Sequence, residues 1–124
     1  MINILSQLFG KKRTEIDVYT IGAAEYNTRF VRINTPHMLV DVRTPAEFAD
    51  GHITAAINVP LQELQQRIAA LPTDKPLMLY CRTGNRSAMA LQLLQSAGFQ
   101  DVYNVGGLPE LVAQGLPLHQ PRTA

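Results

Sequence analysis

The chain has 124 residues, 46% hydrophobic and 17% charged, with a formal net charge of +1. That length suits one compact domain, and the apolar fraction is enough for a core, which argues against a disordered chain. Acids and bases are interspersed, which argues against the basic face of a nucleic-acid binder.

The first ten residues, Met1 to Gly10, are largely apolar, and Lys11, Lys12 and Arg13 follow them rather than precede them. A secretory signal has the reverse order, and the stretch is too short to span a bilayer. Residues 1–14 are therefore read as a tail or docking segment, with contact to a membrane surface as the lesser alternative. Residues 15–115 are expected to form the domain and 116–124 a C-terminal tail.

Ile16 to Val18 could form a first strand, followed by a helix from Thr20 to about Arg32, capped by Thr20 or its neighbour. Met38-Leu-Val-Asp-Val42 has the look of a strand buried on both faces. Thr44-Pro-Ala-Glu47 supplies an N-cap, a proline at N1 and an acid at N3, so a short helix should start there and stop at Gly51. Ala56 to Val59 reads as a strand. Leu61, Leu64, Ile68 and Leu71 recur at helical spacing and stop at Pro72. Pro76 to Tyr80 is another buried strand, Ser87 to Ala97 a helix closed by Gly98, and Asp101 to Asn104 the last strand. A short helix around Glu110 to Gln114 follows Gly106-Gly107, and the chain from Gly115, with Pro117 and Pro121, is expected to be irregular. Strands alternating with helices predict an α/β fold, a small parallel sheet with helices on both faces. Ligands of such sheets bind outside the carboxyl ends of the strands, where Cys81 falls.

Cys81 is the only cysteine, so no internal disulfide or paired-cysteine motif is possible, and a reducing, cytoplasmic setting is expected. His37, His52 and His119 give no metal-binding spacing, and neither a metal nor a cofactor is expected. Cys81-Arg82-Thr83-Gly84-Asn85-Arg86-Ser87 runs from strand through a tight loop into a helix. Gly84 and Asn85 both tolerate the left-handed backbone such a turn needs. Successive N–H groups would then converge on one centre, with the helix dipole behind them. Arg86 can return a bidentate guanidinium to that centre. A thiol there should be acidified and nucleophilic without a separate base. The competing explanation, a small buried core cysteine, leaves the two arginines and the glycine unexplained.

At these residues the chain resembles the rhodanese family, over roughly Met38 to Leu111. The resemblance includes Leu39-Val-Asp-Val-Arg43, Glu47-Phe48, Gly51-His-Ile53, Ala56-Ile-Asn-Val-Pro60, the Cys81 loop and Asn104-Val-Gly-Gly-Leu108, all in order. Thr54-Ala-Ala56 stands where the family usually has Pro-Gly-Ala, and Leu111 where a tryptophan often follows the Gly-Gly turn. The resemblance implies a rhodanese-like fold and sulfur transfer through a Cys81 persulfide. A small donor such as thiosulfate would supply the sulfur, and cyanide or a thiol protein, for example a thioredoxin-like one, would accept it. Arg82 and Arg86 would attract the anionic donor, and the loop N–H groups would hold the sulfur.

Asp41 and Arg43, at the end of a predicted strand, are expected to pair internally, with a general-acid role for Asp41 as the lesser alternative. His52 is expected to make a structural hydrogen bond within its turn. Gly106 and Gly107 should let a loop approach the site closely. Two other functions compete with sulfur transfer. A cysteine phosphatase or arsenate reductase would use a similar cradle, but with five residues between Cys and Arg instead of the four here. A rhodanese-like module that only binds a partner often lacks the cysteine or the arginine, and both are present.

Overall fold

The computed structural model describes residues 17–121. The apolar N-terminal segment and Ile16 lie outside them. In chain order the elements are α1 (Ala23–Tyr26), β1 (Met38–Asp41), α2 (Pro45–Asp50), β2 (His52–Ile53), β3 (Ile57–Asn58), α3 (Leu64–Arg67), β4 (Leu77–Cys81), α4 (Asn85–Ser96), β5 (Val102–Gly107), α5 (Leu108–Ala113) and β6 (Leu118–His119). β3, β1, β4 and β5 form a parallel sheet in that order.

The sheet is buried on both faces because β1 and β4 carry apolar side chains at successive positions. Leu39, Met78 and Tyr80 point to one face and pack with Tyr26, Phe30 and Leu111. Val40, Leu77, Leu79 and Cys81 point to the other and pack with Leu64, Leu91 and Leu94. Each such leucine, fully buried, stabilises the fold by about 1.5–3 kcal/mol. The expected parallel sheet with helices on both faces is therefore the one observed.

α2 begins as its sequence predicts. Thr44 Oγ1 accepts from the Glu47 N–H at 3.2 Å, and the Thr44 N–H donates to Glu47 Oε1 at 3.0 Å, a reciprocal capping box. α4 ends on Gly98, whose φ of 101° is a left-handed stop beyond the helix.

Five expectations about the elements need correction. Asp17 to Tyr19 form no strand; the chain instead meets the sheet at a parallel bridge between Thr20 and Asn104. Thr20 does not cap a helix, because its hydroxyl donates to Asp17 Oδ2 at 2.7 Å; Gly22 occupies the N-cap of α1. After α1 the backbone widens into a π turn over Asn27–Val31, closed by the Arg32 N–H on the Asn27 carbonyl at 2.9 Å. The apolar stretch before Pro72 is helical in pieces, with 3-10 turns at Leu61–Glu63 and Ile68–Ala70 around α3.

The fifth correction concerns the chain after Gly115. Leu116 is buried, the Thr54 N–H donates to the Pro117 carbonyl at 2.9 Å, and β6 pairs antiparallel with β2. Pro117 precedes β6 and Pro121 follows it, so neither removes a donor from the pairing.

Candidate active site

Cys81 is the last residue of β4, paired across the sheet with Gly107 of β5. Its neighbour Tyr80 points to the opposite face, where its hydroxyl accepts from the Ile53 N–H at 3.0 Å. The loop then turns at Gly84, the N-cap of α4, whose φ of 100° a side chain would strain. Asn85 is already the first helical residue, so only Gly84 of the two expected positions uses the left-handed conformation.

The turn aims its backbone at the sulfur. The Gly84 N–H donates to Cys81 Sγ at 3.0 Å, and the Ser87 hydroxyl stands 3.5 Å from it. Burial alone would push the Cys81 thiol up. Hydrogen bonds from the Ser87 side chain and from the Ser87, Gly84 and Thr83 backbones outweigh burial and hold the thiol below its ordinary value. The Ser87 hydroxyl has one proton, and Asn104 Oδ1 accepts it at the shorter distance of 2.7 Å. The backbone N–H groups are therefore the steadier support of the thiolate.

Asn104 ties this loop to the sheet. Its Oδ1 also accepts from the Gly106 N–H at 3.0 Å, and its Nδ2 donates to the Gly84 carbonyl at 3.2 Å. These two partners fix the amide orientation. The register of β4 against β5 steps from Leu79↔Asn104 to Tyr80↔Gly106, leaving Val105 as an extra residue. That bulge carries β5 on to Gly107, past the expected end at Asn104. A Cβ on Gly107 would collide with the Arg82 carbonyl, so the glycine permits the close approach expected of it.

Arg86 is placed differently from its expected role. Its guanidinium makes a fork with Glu47, Nη1 to Oε1 at 2.7 Å and Nη2 to Oε2 at 3.0 Å. The same Oε1 accepts from the Thr44 N–H and hydroxyl. The Arg86 hydrogen bond, followed by the one from the Thr44 backbone, pulls Glu47 from 4.5 to about 2. Arg86 is raised in turn, first by the Glu47 bond, and it also feels the charges of Cys81 and Asp41.

Arg82, Thr83 and Asn85 are exposed around the loop, while Ser87 is buried beneath it. Asp41 and Arg43 form a buried pair. Arg43 Nη2 donates to Asp41 Oδ2 at 2.7 Å and to the Gly51 carbonyl at 2.6 Å. Asp41 also accepts from the Arg43 N–H and Nε, so its carboxylate is engaged in holding the end of β1 to the turn before β2. His52 donates through Nδ1 to the Phe48 carbonyl at 2.7 Å and stacks on the Phe48 ring at 3.6 Å. Its geometry is that of a turn brace.

Sequence reasoning missed two residues here. Glu47 was visible as a helix cap and within the family resemblance, but its pairing was not, because its partner lies 39 positions away. Asn104 is a polar residue within a strand just before Gly106-Gly107, a signal that could have marked it. Among the described residues, no group of three or more His, Cys, Asp or Glu side chains could hold a metal ion. No helix among them is long and apolar enough to cross a membrane.

An α/β domain with an acidified thiol at the carboxyl end of a central parallel strand, ringed by loop N–H groups, defines a class of cysteine-centred anion sites. Within that class the comparisons are specific: a sequence model of the rhodanese-like domain matches residues 24–114, and the chain belongs to that family. It is 39% identical over 85 residues to a protein named sulfurtransferase from Allochromatium vinosum, covering 68% of this chain and 79% of that one. Identity is 38% over 74 residues to the thiosulfate sulfurtransferase PspE of Escherichia coli, covering 58% of this chain and 71% of that one. Among solved structures, the rhodanese-like domain of an Anabaena protein superposes with a TM-score of 0.73 at 27% identity, covering 86% of each chain.

Proposed function

We propose that this protein is a sulfurtransferase that moves a sulfane sulfur from thiosulfate or a similar donor to a thiol or cyanide acceptor. The observation that carries the reading is the Gly84 N–H donated to Cys81 Sγ at 3.0 Å, in a loop whose backbone holds the thiol below its ordinary value. The Cys81 thiolate attacks the outer sulfur of thiosulfate, the sulfur–sulfur bond of the donor breaks, and sulfite leaves with the electron pair. Cys81 then carries a persulfide anion. Cyanide attacks its terminal sulfur to give thiocyanate, or an acceptor thiolate attacks to give a new persulfide, and in either case the Cys81 thiolate is restored. No proton is needed in either half-reaction, because sulfite and the thiolate are both adequate leaving groups.

The N–H groups stabilise negative charge on the sulfur without a cation in contact with it, which suits a persulfide that must wait for its acceptor. A thiol protein of the thioredoxin-like kind fits the acceptor role. The chain has no second cysteine to take the sulfur. The four residues between Cys81 and Arg86 make a small ring, better matched to one sulfur atom than to phosphorus with its oxygens.

The test is intact mass spectrometry after thiosulfate treatment and desalting. One added sulfur atom is expected, removable by cyanide, and absent from Cys81→Ser, which should keep the fold. Turnover in Cys81→Ser, or no added sulfur on the wild type at any thiosulfate concentration, would refute the reading.

A further inference from the structure

The sulfur of Cys81 is shielded from solvent, yet a donor has to reach it. The side chains of Glu47 and Arg86, 26% and 34% exposed, meet at the rim of the loop and join α2 to α4. Arg86 is the loop cation whose charge couples to Cys81, after its coupling to Glu47. Asp41, the other carboxylate that acts on it, is occupied by Arg43. The fork that Arg86 presents to Glu47 is the same planar pair of N–H donors that would receive two oxygens of a sulfonate-like head group. Glu47 holds one N–H of Nη1 and one of Nη2, so an oxyanion can take this end of the guanidinium only by displacing the carboxylate.

We propose that Glu47 is a donor-discriminating residue: its carboxylate occupies the Nη1–Nη2 end of Arg86 and offsets its charge in the free site, and an oxyanion-bearing donor that uses this end must displace it. Donors with an uncharged head group do not need Arg86 and are not opposed. The site thereby disfavours small dianions such as thiosulfate relative to donors that bring their sulfur on a neutral carrier. This rests on Cys81 being the sulfur-accepting thiolate, but the competition at Arg86 can be read without sulfur transfer.

The probe is alkylation of Cys81 by iodoacetate, whose carboxylate stands in for the oxyanion, against neutral iodoacetamide. Both form the same sulfur–carbon bond and expel iodide. Glu47→Gln keeps the capping-box geometry, since glutamine also serves at N3. It should raise the iodoacetate-to-iodoacetamide rate ratio about 3–10-fold at low salt, less as salt screens the freed guanidinium. Thr44→Ala, which removes the cap and keeps the carboxylate, should leave the ratio within about twofold of wild type, because rim charge is unchanged. In the cyanide assay Glu47→Gln should lower KM for thiosulfate by a similar factor and change kcat less.

An unchanged alkylation ratio in Glu47→Gln, or an equal rise in Thr44→Ala, overturns the proposal. If the wild type turns over thiosulfate but Glu47→Gln moves neither the ratio nor KM, the competition is wrong and sulfur transfer stands. If the ratio rises while no sulfur is ever taken up, the competition stands and sulfur transfer falls.

Discussion

Replacing Asn104 by Ala should destabilise the fold out of proportion to the size of the side chain. The amide makes three hydrogen bonds, to the Ser87 hydroxyl, the Gly106 N–H and the Gly84 carbonyl, and the residue is 4% exposed. Each bond contributes about 1 kcal/mol net, and groups left unpaired without water cost more, so a loss of about 3 kcal/mol is expected. For a domain of this size that corresponds to a fall in Tm on the order of 10–20 °C. Urea unfolding should show a lower midpoint with an unchanged slope, and Cys81 alkylation should slow as Gly84 loses its tether. Asn104→Asp provides an internal check. Its oxygens can still accept from Ser87 and Gly106, but a carboxylate faces the Gly84 carbonyl with no proton to give. Its deficit should therefore shrink as pH falls and the carboxyl gains a proton. A loss below about 1 kcal/mol in Asn104→Ala would mean that these bonds are replaced by water and that the tether argument is wrong.

Arg86→Ala should cut thiosulfate turnover at least tenfold and Arg86→Lys less, since an ammonium keeps the charge but loses the fork, a charge-assisted contact worth roughly 1.5–3 kcal/mol; wild-type kinetics in Arg86→Ala would refute the assignment. Glu47 is lowered from 4.5 to about 2 in the folded protein, so its stabilisation is complete above about pH 4.5 and is lost as pH falls toward 2. The acid limb of a stability–pH curve should accordingly be shallower in Glu47→Gln, and an identical limb would show that the pair contributes nothing. Gly107→Ala should cost about 1–3 kcal/mol through overpacking against the Arg82 carbonyl, since its φ of −112° is open to any residue; a stability equal to wild type, measured by urea unfolding, would contradict that contact.

Much of the architecture was legible because it rests on local patterns. Continuous apolar runs marked β1 and β4, and Thr44-Pro-Ala-Glu47 marked the start of α2 down to its reciprocal hydrogen bonds. The Cys81 loop could be read because its glycine, its N–H groups and its sulfur all lie within seven consecutive residues. The missed features depend on contacts between distant segments. The π turn at Asn27–Val31 has no propensity signal of its own. β6 exists because β2 has an edge to pair, while its own residues are two prolines away from looking like a loop. Glu47 satisfies a local rule so completely that nothing in its surroundings pointed to Arg86. The arginine was expected to return its fork to the sulfur because it follows Cys81 by five residues, whereas a carboxylate from another helix holds that fork.

In mechanical terms the reactive atom is mounted on the stiffest member of the molecule. Cys81 ends a fully buried strand that is paired on both sides from Leu77 to Tyr80, and its own backbone is in register with Gly107. Glu47, by contrast, sits on a helix of six residues with no buried side chain. A motion that admits a donor is therefore cheaper as a swing of the small helix than as any travel of the sulfur. Cys81 is thus the fixed point of the site and α2 its looser wall. Amide exchange should echo this division, slow at Leu79 and Cys81 and fast across Ala46 to Ala49.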